Sequence, residues 1–165
     1  MDGQRLKYIK SIAADAVEAA AGTNLFPSVM IAQAALESGN GVSVLAKKYN
    51  NHFGIKASAG WTGAIAYLPT TEYIRNVATK VKGAFRSYSS LIDGFVDRIN
   101  FLKKNSRYTK AGVFTAASPE AQAKALQAAG YATDPQYATK IVGIINSYNL
   151  KQYDTAQPEP IKKKA

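Results

Sequence analysis

Residues 30–41 read MIAQAALESGNG, an apolar helical run that ends in one carboxylate, Glu37, and a glycine-rich turn. Pro27 suits the first turn of this helix, and the turn after Glu37 breaks it. A carboxylate at a helix C-terminus meets the negative end of the helix dipole, and beside Leu36 and the core it is also partly desolvated. Both effects disfavour the charged form and raise the pKa of Glu37. Such a carboxyl can stay protonated near neutral pH, as a general acid must to protonate a leaving oxygen.

The alternative for Glu37 is a solvated side chain in the last helical turn, with no function. The negative end of the helix dipole costs an ionised carboxylate roughly several tenths of a kcal/mol, so an idle glutamate is poorly placed there. Acids are also scarce, because the chain has 21 Lys and Arg against 11 Asp and Glu. We therefore interpret Glu37 as the first candidate for acid catalysis.

Outward from this helix, the apolar spacing predicts a mostly α-helical domain. The predicted helices lie at about residues 6–22, 27–37, 42–48, 90–102, 118–130 and 134–148. The expected N-caps of the last three are Ser89 or Ser90, Ser118 and Asp134. Between residues 57 and 88, glycines, a proline and clustered β-formers predict instead an irregular lobe with a β-hairpin. The predicted fold class is therefore mainly α (α+β), with two lobes and room for a cleft.

The length of 165 residues fits one domain, which we assign to residues 1–154. Residues 155–165 contain two prolines and three consecutive lysines, and they are predicted to form a basic, disordered tail. No stretch approaches the roughly 20 apolar residues of a transmembrane helix. The N-terminus lacks the apolar region of a secretory signal peptide, so we expect no signal peptide in this chain.

The composition excludes several kinds of site. The chain has no cysteine, which rules out a disulfide framework, a thiolate metal site and a cysteine nucleophile. His52 is the one histidine, which leaves little for a multi-histidine metal site or a Ser-His-Asp triad. We therefore expect no metal and no cofactor.

The formal net charge of +10 favours an anionic partner, such as nucleic acid, an anionic membrane or an anionic cell wall. The lysines are scattered along the chain, and the sequence signatures of nucleic-acid-binding modules are missing. We therefore expect no nucleic-acid partner. We interpret the basic surface as a means of attraction to anionic cell-wall polymers.

Four segments resemble, in order along the chain, the motifs of one enzyme family. They are ALESGNG at 35–41, NNHFGIK at 50–56, TEY at 71–73 and GYATDPQYA at 130–138. Together they resemble glycoside hydrolase family 73, the endo-β-N-acetylglucosaminidases related to the glucosaminidase domain of flagellar rod-cap proteins. The resemblance covers about residues 5–150. It departs at His52, where a leucine is common in relatives, and this change is expected to alter the floor of the cleft.

The resemblance implies a lysozyme-like helical domain in which a small β-hairpin lobe forms a substrate cleft. It implies that Glu37 is the general acid and that Glu72 is the second carboxylate, either a base that activates water or a group that stabilises an oxocarbenium-like transition state. The distance between the two carboxyls decides the mechanism, since about 6.5–9.5 Å suits inversion and about 5 Å a retaining nucleophile. We favour inversion, and attack by the substrate's own acetamide stays open. The alternative for Glu72 is a surface carboxylate at a hairpin bend.

Tyr131 follows the glycine that ends a helix, and the resemblance implies that it hydrogen-bonds a sugar or orients the water or the acetamide. Its alternative is a packing tyrosine. The candidates for substrate binding, each with a structural alternative, are Asn51, Phe53, Trp61 and Tyr137. Phe53 and Trp61 could stack on sugar faces or fill gaps in the core. Asn51 could bond the N-acetyl group or fix its loop, and Tyr137 could form a subsite wall or pack.

The predicted function is hydrolysis of the β-1,4 bond after N-acetylglucosamine in the glycan strands of peptidoglycan. The alternatives are a lytic transglycosylase or a muramidase on the same fold, and a non-catalytic glycan-binding module, which would not need both Glu37 and Glu72. We expect a monomer that acts at the cell wall or in the periplasm, either secreted or delivered by a phage.

Overall fold

Helix α2 (Pro27–Glu37) lies at the centre of the domain because its first nine residues are all buried. A helix that is apolar on every side is stable only when other elements surround it. Helices α1 (Gly3–Ala20), α6 (Pro119–Ala128) and α7 (Tyr137–Ser147) pack around it. Helix α2 reaches the surface at its C-terminal end, so Glu37 leaves the core there and meets solvent.

The computed structural model describes residues 2–58 and 60–155 of the chain. Within these residues the remaining helices are α3 (Val44–Tyr49), α4 (Leu91–Lys104) and α5 (Ser106–Lys110), with 3-10 turns at Val113–Thr115 and Leu150–Tyr153. None of the helices in this part is both long and apolar enough to cross a membrane. The predicted tail lies outside the described residues except for Thr155, and the domain boundary at 154 stays a prediction.

A long antiparallel β-hairpin extends from the helical body. Its strands, β1 (Ile65–Ile74) and β2 (Val77–Arg86), pair along their whole lengths. The residues at the turn, Arg75 and Asn76, both have positive φ, 51° and 64°, as a two-residue type I′ turn requires. Ala66 and Phe85 are the buried residues of the two strands, so the hairpin is anchored at its base and exposed at its tip. The predicted fold class, mainly α with a small β lobe, is confirmed.

The hairpin is longer and more regular than the sequence pattern predicts. Pro69 lies within β1 and interrupts the run of β-forming residues there. Proline is tolerated because both strands of a two-stranded sheet are edge strands, where a missing N–H need not face a partner. The turn carries Asn76, which tolerates positive φ, but no glycine, so its sequence is only a weak signal of where the chain reverses.

Some predicted helix boundaries are wrong. Helix α7 begins at Tyr137, and Asp134 is not its N-cap. The Asp134 carboxylate instead accepts the N–H of Gln136 (2.8 Å) in the preceding turn and pairs with Lys140 of α7.

Helix α3 begins two residues later than expected because the Ser43 hydroxyl caps it. The stretch after α4, which shows no clear periodicity, folds into α5 and a 3-10 turn.

Candidate active site

Glu37 is the last residue of α2, and the turn after it is tied to the helix. The Ser38 hydroxyl donates to the carbonyl of Ala34 (2.6 Å) and accepts the N–H of Gly41 (2.8 Å). Gly41 has φ +80°, and a Cβ there would lie 2.7 Å from the ring of Tyr8, so this position requires glycine. The turn therefore holds the end of α2, and with it the catalytic candidate, in one place.

Glu37 borders a cavity of about 460 Å³ beside the loop that follows α3. The other lining residues are Phe53–Lys56, Ser58, Phe101, Arg107, Tyr108 and Tyr131–Thr133. This mixture of aromatic walls and a few polar groups is typical of small-molecule sites. Glu37 is exposed toward solvent, whereas protein atoms surround its carboxyl group on its other sides.

Burial raises the pKa of Glu37, and the nearby Tyr137 hydroxyl, a hydrogen-bond donor, lowers it in part. The predicted direction of the shift is therefore confirmed. A carboxyl with a raised pKa keeps its proton to higher pH, which is the property that a general acid needs.

Tyr131 and Tyr137 lie close to Glu37, and burial, together with the charge of the Glu37 carboxylate, raises the pKa of both hydroxyls. Helix α6 ends in a Schellman motif closed by Gly130 (φ +81°), and the next residue, Tyr131, is thereby placed on the cavity wall. The rings of Tyr131 and Tyr137 lie 5.8 Å apart between centroids. Removal from water raises the pKa of Tyr131 to about 12 and raises that of Tyr137 as well, so both hydroxyls stay protonated donors.

Tyr137 is only 2% exposed and does not line the cavity, so the prediction that it binds substrate as a subsite wall is wrong. Its hydroxyl oxygen accepts a hydrogen bond from Gln33 Nε2 of α2 (2.9 Å). Because this donor occupies the oxygen, the hydroxyl proton is available to Glu37. The Tyr137 hydroxyl therefore acts on the candidate acid, Glu37, from the core side, and it does not contact the substrate.

A buried arginine lies behind Tyr131. Arg98 of α4 is 1% exposed, and its guanidinium carbon lies 6.0 Å from the ring centre of Tyr131 and 5.4 Å from that of Phe53. Arg98 lies outside the four sequence motifs and was not among the predicted site residues. Arg98 lies three positions after Phe95, on the buried face of α4. A charged residue on an apolar helical face is the signal that could have found it.

The structure places Glu72 outside the lining of the Glu37 cavity. It lies on β1, where its side chain is 42% exposed and its Oε1 is 2.7 Å from Lys56 Nζ. Lys56 does line the cavity, so this ion pair connects the hairpin to the cavity rim. The role of Glu72 as a second carboxylate stays a prediction.

Asn51 is 1% exposed, and its carboxamide is hydrogen-bonded to backbone groups. The side-chain amide donates to the carbonyls of Ile55 (3.0 Å) and Arg86 (2.8 Å), and its oxygen accepts the N–H of Ile55 (3.1 Å). The predicted substrate contact is therefore wrong, and the alternative role, fixing the loop, is the one observed. Phe53 borders the cavity, but it is 6% exposed and packs against Phe95, which leaves little ring surface for a sugar.

Trp61 belongs to a second cavity, of about 290 Å³, which shares Ser58 and Phe101 with the first. The Arg86 guanidinium lies 4.6 Å from the centre of the indole ring, and the indole N–H donates to the carbonyl of Ala64 (3.0 Å). One face of Trp61 is therefore already covered by a cation, and a sugar could use only the remaining surface.

His52 does not lie on the floor of the Glu37 cavity. Its Nδ1 is 2.6 Å from the hydroxyl of Tyr8 on α1, and the two rings stack. Burial lowers the pKa of His52 to about 4, so the ring is neutral near pH 7. The expectation that this residue alters the cleft floor is wrong, because its side chain packs toward α1.

The chain matches the model of a known protein family. A model described as mannosyl-glycoprotein endo-beta-N-acetylglucosaminidase, the Glucosaminidase family, matches residues 13–150. The matched range includes all four motifs, from residue 35 to residue 138.

Two curated relatives are bacterial enzymes. The peptidoglycan hydrolase FlgJ of Escherichia coli (strain K12) is 47% identical over 121 residues, which cover 71% of this chain and 38% of the relative. The exo-glucosaminidase LytG of Bacillus subtilis is 36% identical over 138 residues, which cover 82% of this chain and 48% of the relative. The chain therefore spans less than half the length of either protein.

Solved structures share the fold over nearly the whole chain. The catalytic domain of the autolysin Auto from Listeria monocytogenes superposes with a TM-score of 0.82 at 37% identity, covering 93% of this chain and 89% of that one. A glycoside hydrolase domain from FlgJ of Salmonella typhimurium gives a TM-score of 0.72 at 39% identity, covering 88% and 97%.

Proposed function

Because the chain belongs to the glucosaminidase family of glycoside hydrolases, we propose that it hydrolyses the β-1,4 bond after N-acetylglucosamine in peptidoglycan. This family is the one that the four motifs predicted, so that prediction is confirmed. One observation carries the proposal of activity: Glu37, at the end of a buried helix, borders a cavity in which burial raises its pKa. A glycan-binding module would gain nothing from a carboxyl held in this state.

Glu37 is the general acid in this proposal. Its carboxyl proton passes to the glycosidic oxygen as the bond from that oxygen to the anomeric carbon breaks, and Glu37 is left as a carboxylate. The Tyr137 hydroxyl then stabilises the carboxylate as a hydrogen-bond donor. Tyr131, on the cavity wall, is in a position to donate to the substrate's acetamide or to orient the attacking water.

Glu72 is the proposed second carboxylate, and it would act from the hairpin. Its partner Lys56 lies on the cavity rim, which supports an approach of the Glu72 carboxylate from that side. If Glu72 takes a proton from water, the water attacks the anomeric carbon from the face opposite the leaving oxygen and the product is inverted. If the substrate's acetamide attacks first, the configuration is retained.

The substrate path extends beyond the Glu37 cavity. The cavity that contains Trp61 adjoins it at Ser58 and Phe101, so the two form one track along α4. A polymeric glycan needs such a track, and Trp61 is proposed to contact a sugar at its far end. The net charge of +10 would keep the enzyme near anionic wall polymers. We propose that it works as a monomer at the cell wall.

A lytic transglycosylase is the second candidate, and the position of Glu72 favours it. Transglycosylation needs one essential acid, because a hydroxyl of the substrate itself attacks and leaves an anhydro-sugar. Glu72 is paired with Lys56 outside the cavity lining, an arrangement that fits a mechanism with one acid.

The test compares the wild type with Glu37→Gln on purified cell walls. Glu37→Gln should stay folded, with the same or a higher Tm, and should lose turbidity clearing. Retained clearing would contradict the assignment of Glu37. Mass spectrometry of the released glycans then identifies the reaction: reducing-end N-acetylglucosamine supports the proposal, reducing-end N-acetylmuramic acid indicates a muramidase, and anhydro-muramic acid indicates a transglycosylase.

A further inference from the structure

A positive charge is buried behind the cavity wall without a carboxylate partner among the described residues. Arg98 is 1% exposed, and none of the ion pairs formed among the described residues includes it. Its Nε and Nη2 atoms have no hydrogen-bond partner in this part of the chain. Removing a cation from water is costly unless a partner compensates for it. Groups that cost stability in this way tend to be kept where a functional site needs them.

The surroundings of Arg98 indicate which group it serves. The rings of Phe53 and Tyr131 flank the guanidinium at 5.4 and 6.0 Å, and both rings line the Glu37 cavity. Arg98 is therefore separated from substrate by these rings, and it does not line the cavity itself. Any effect of Arg98 on the reaction has to pass through a neighbouring group.

Tyr131 is the neighbour that can transmit such an effect. The charged and titratable groups that act on its hydroxyl are Arg98, Glu37 and Tyr108. The charge of Arg98 lowers the pKa of Tyr131, whereas the Glu37 carboxylate raises it. A cation beside a hydroxyl attracts the oxygen and repels the proton. The proton of Tyr131 is therefore directed away from Arg98.

We propose that Arg98 is a positioning residue, which holds Tyr131 on the cavity wall with its hydroxyl proton directed toward the substrate. This inference rests on the proposed function, in which Tyr131 acts on the acetamide or on the attacking water.

The first experiment replaces Arg98 by a side chain of similar volume without charge. Arg98→Met should unfold at the same or a higher temperature, because an unpaired buried cation is removed. It should lower kcat on a soluble chitooligosaccharide at least tenfold and leave KM nearly unchanged. Arg98→Lys, which keeps the charge, should restore part of kcat. The matched control is Lys103→Met, which removes an exposed cation from the same helix and should change neither Tm nor kcat.

A double-mutant cycle tests whether the effect passes through Tyr131. In a Tyr131→Phe background, Arg98→Met should cause little further loss of kcat. NMR of isotopically labelled tyrosine, with Tyr131→Phe to assign the signal, should show at neutral pH that Arg98→Met shifts the Cζ resonance of the Tyr131 phenol. This readout does not depend on activity, so it separates a failure of this inference from a failure of the proposed function.

Two results would overturn the inference. One is a large drop in Tm for Arg98→Met with unchanged kcat in the folded fraction, which would make Arg98 a structural residue. The other is an equal loss of kcat with and without the Tyr131 hydroxyl. If Arg98→Met does not fold, Arg98→Gln is measured in its place with the same expected results.

Discussion

The ammonium group of Lys56 lies 2.7 Å from the carboxylate of Glu72, and this ion pair joins the β-hairpin to the rim of the Glu37 cavity. Both side chains are exposed, at 58% and 42%. An exposed pair of this kind contributes about 0.2–1 kcal/mol, so either partner can be exchanged at small cost. The Glu72 side chain can therefore separate from Lys56 and move toward a bound substrate at a small cost in free energy.

Glu72→Gln tests the role of the second carboxylate. If Glu72 is the base, hydrolysis of a chitooligosaccharide should fall about 100-fold or more. The free energy of unfolding should change by no more than about 1 kcal/mol, because the lost ion pair is exposed. The matched control is Glu120→Gln, which breaks the Lys151–Glu120 pair on another face and should leave activity unchanged. Full activity of Glu72→Gln, with anhydro-sugar products, would instead support the transglycosylase.

Tyr137→Phe tests how the pKa of the acid is set. The Tyr137 hydroxyl lowers the pKa of Glu37, so its removal should raise that pKa further. A general acid is active in its protonated form, and the alkaline limb of the kcat/KM profile should therefore move to higher pH. Stability should fall by about 1–3 kcal/mol because Gln33 Nε2 loses its partner. Tyr153→Phe serves as the control, and an alkaline limb that stays in place would contradict this role of Tyr137.

The lowered pKa of His52 predicts that the folded protein loses stability as the pH becomes acidic. Its pKa is about 4 in the folded chain against about 6.5 in the unfolded chain. Between these pH values the unfolded chain binds a proton that the folded chain excludes, so stability falls as pH falls from about 6.5 to about 4. The loss should reach roughly 3 kcal/mol, at about 1.4 kcal/mol for each unit of pKa.

The measurement for His52 is the free energy of unfolding across this pH range. His52→Leu should show a shallower decline than the wild type, whatever its stability at neutral pH. Tyr8→Phe breaks the same contact but keeps the titrating ring, so it should retain a decline. Equal slopes for wild type and His52→Leu would show that this histidine does not carry the effect.

Asn51→Ala separates a structural role from substrate binding. The variant leaves the N–H and carbonyl of Ile55 and the carbonyl of Arg86 without their side-chain partner. Unfolding in denaturant should show a loss of about 2–4 kcal/mol, since each unpaired buried group costs about 1–3 kcal/mol. The folded fraction should keep the wild-type KM. Asn146→Ala, on the exposed side of α7, should be neutral, and a raised KM with unchanged stability would restore the predicted substrate contact.

The part of the site that local sequence could predict is the part built by neighbouring residues. Glu37 follows an apolar run and precedes a glycine turn, and both features act over a few residues through helix propensity and positive φ. The Schellman end of α6 before Tyr131 is local in the same way. The hairpin was predicted only in outline, because its turn has no glycine and β1 contains Pro69.

By itself the sequence determined the helical fold class, the family and the position of the candidate acid at the end of α2. Tertiary structure alone decided what surrounds that acid. Gln33 meets Tyr137 across 104 residues, and Asn51 meets Arg86 across 35. Arg98 reaches Tyr131 from another helix. These groups interact through burial and charge, which depend on distance in space, and periodicity along the chain carries no information about that distance.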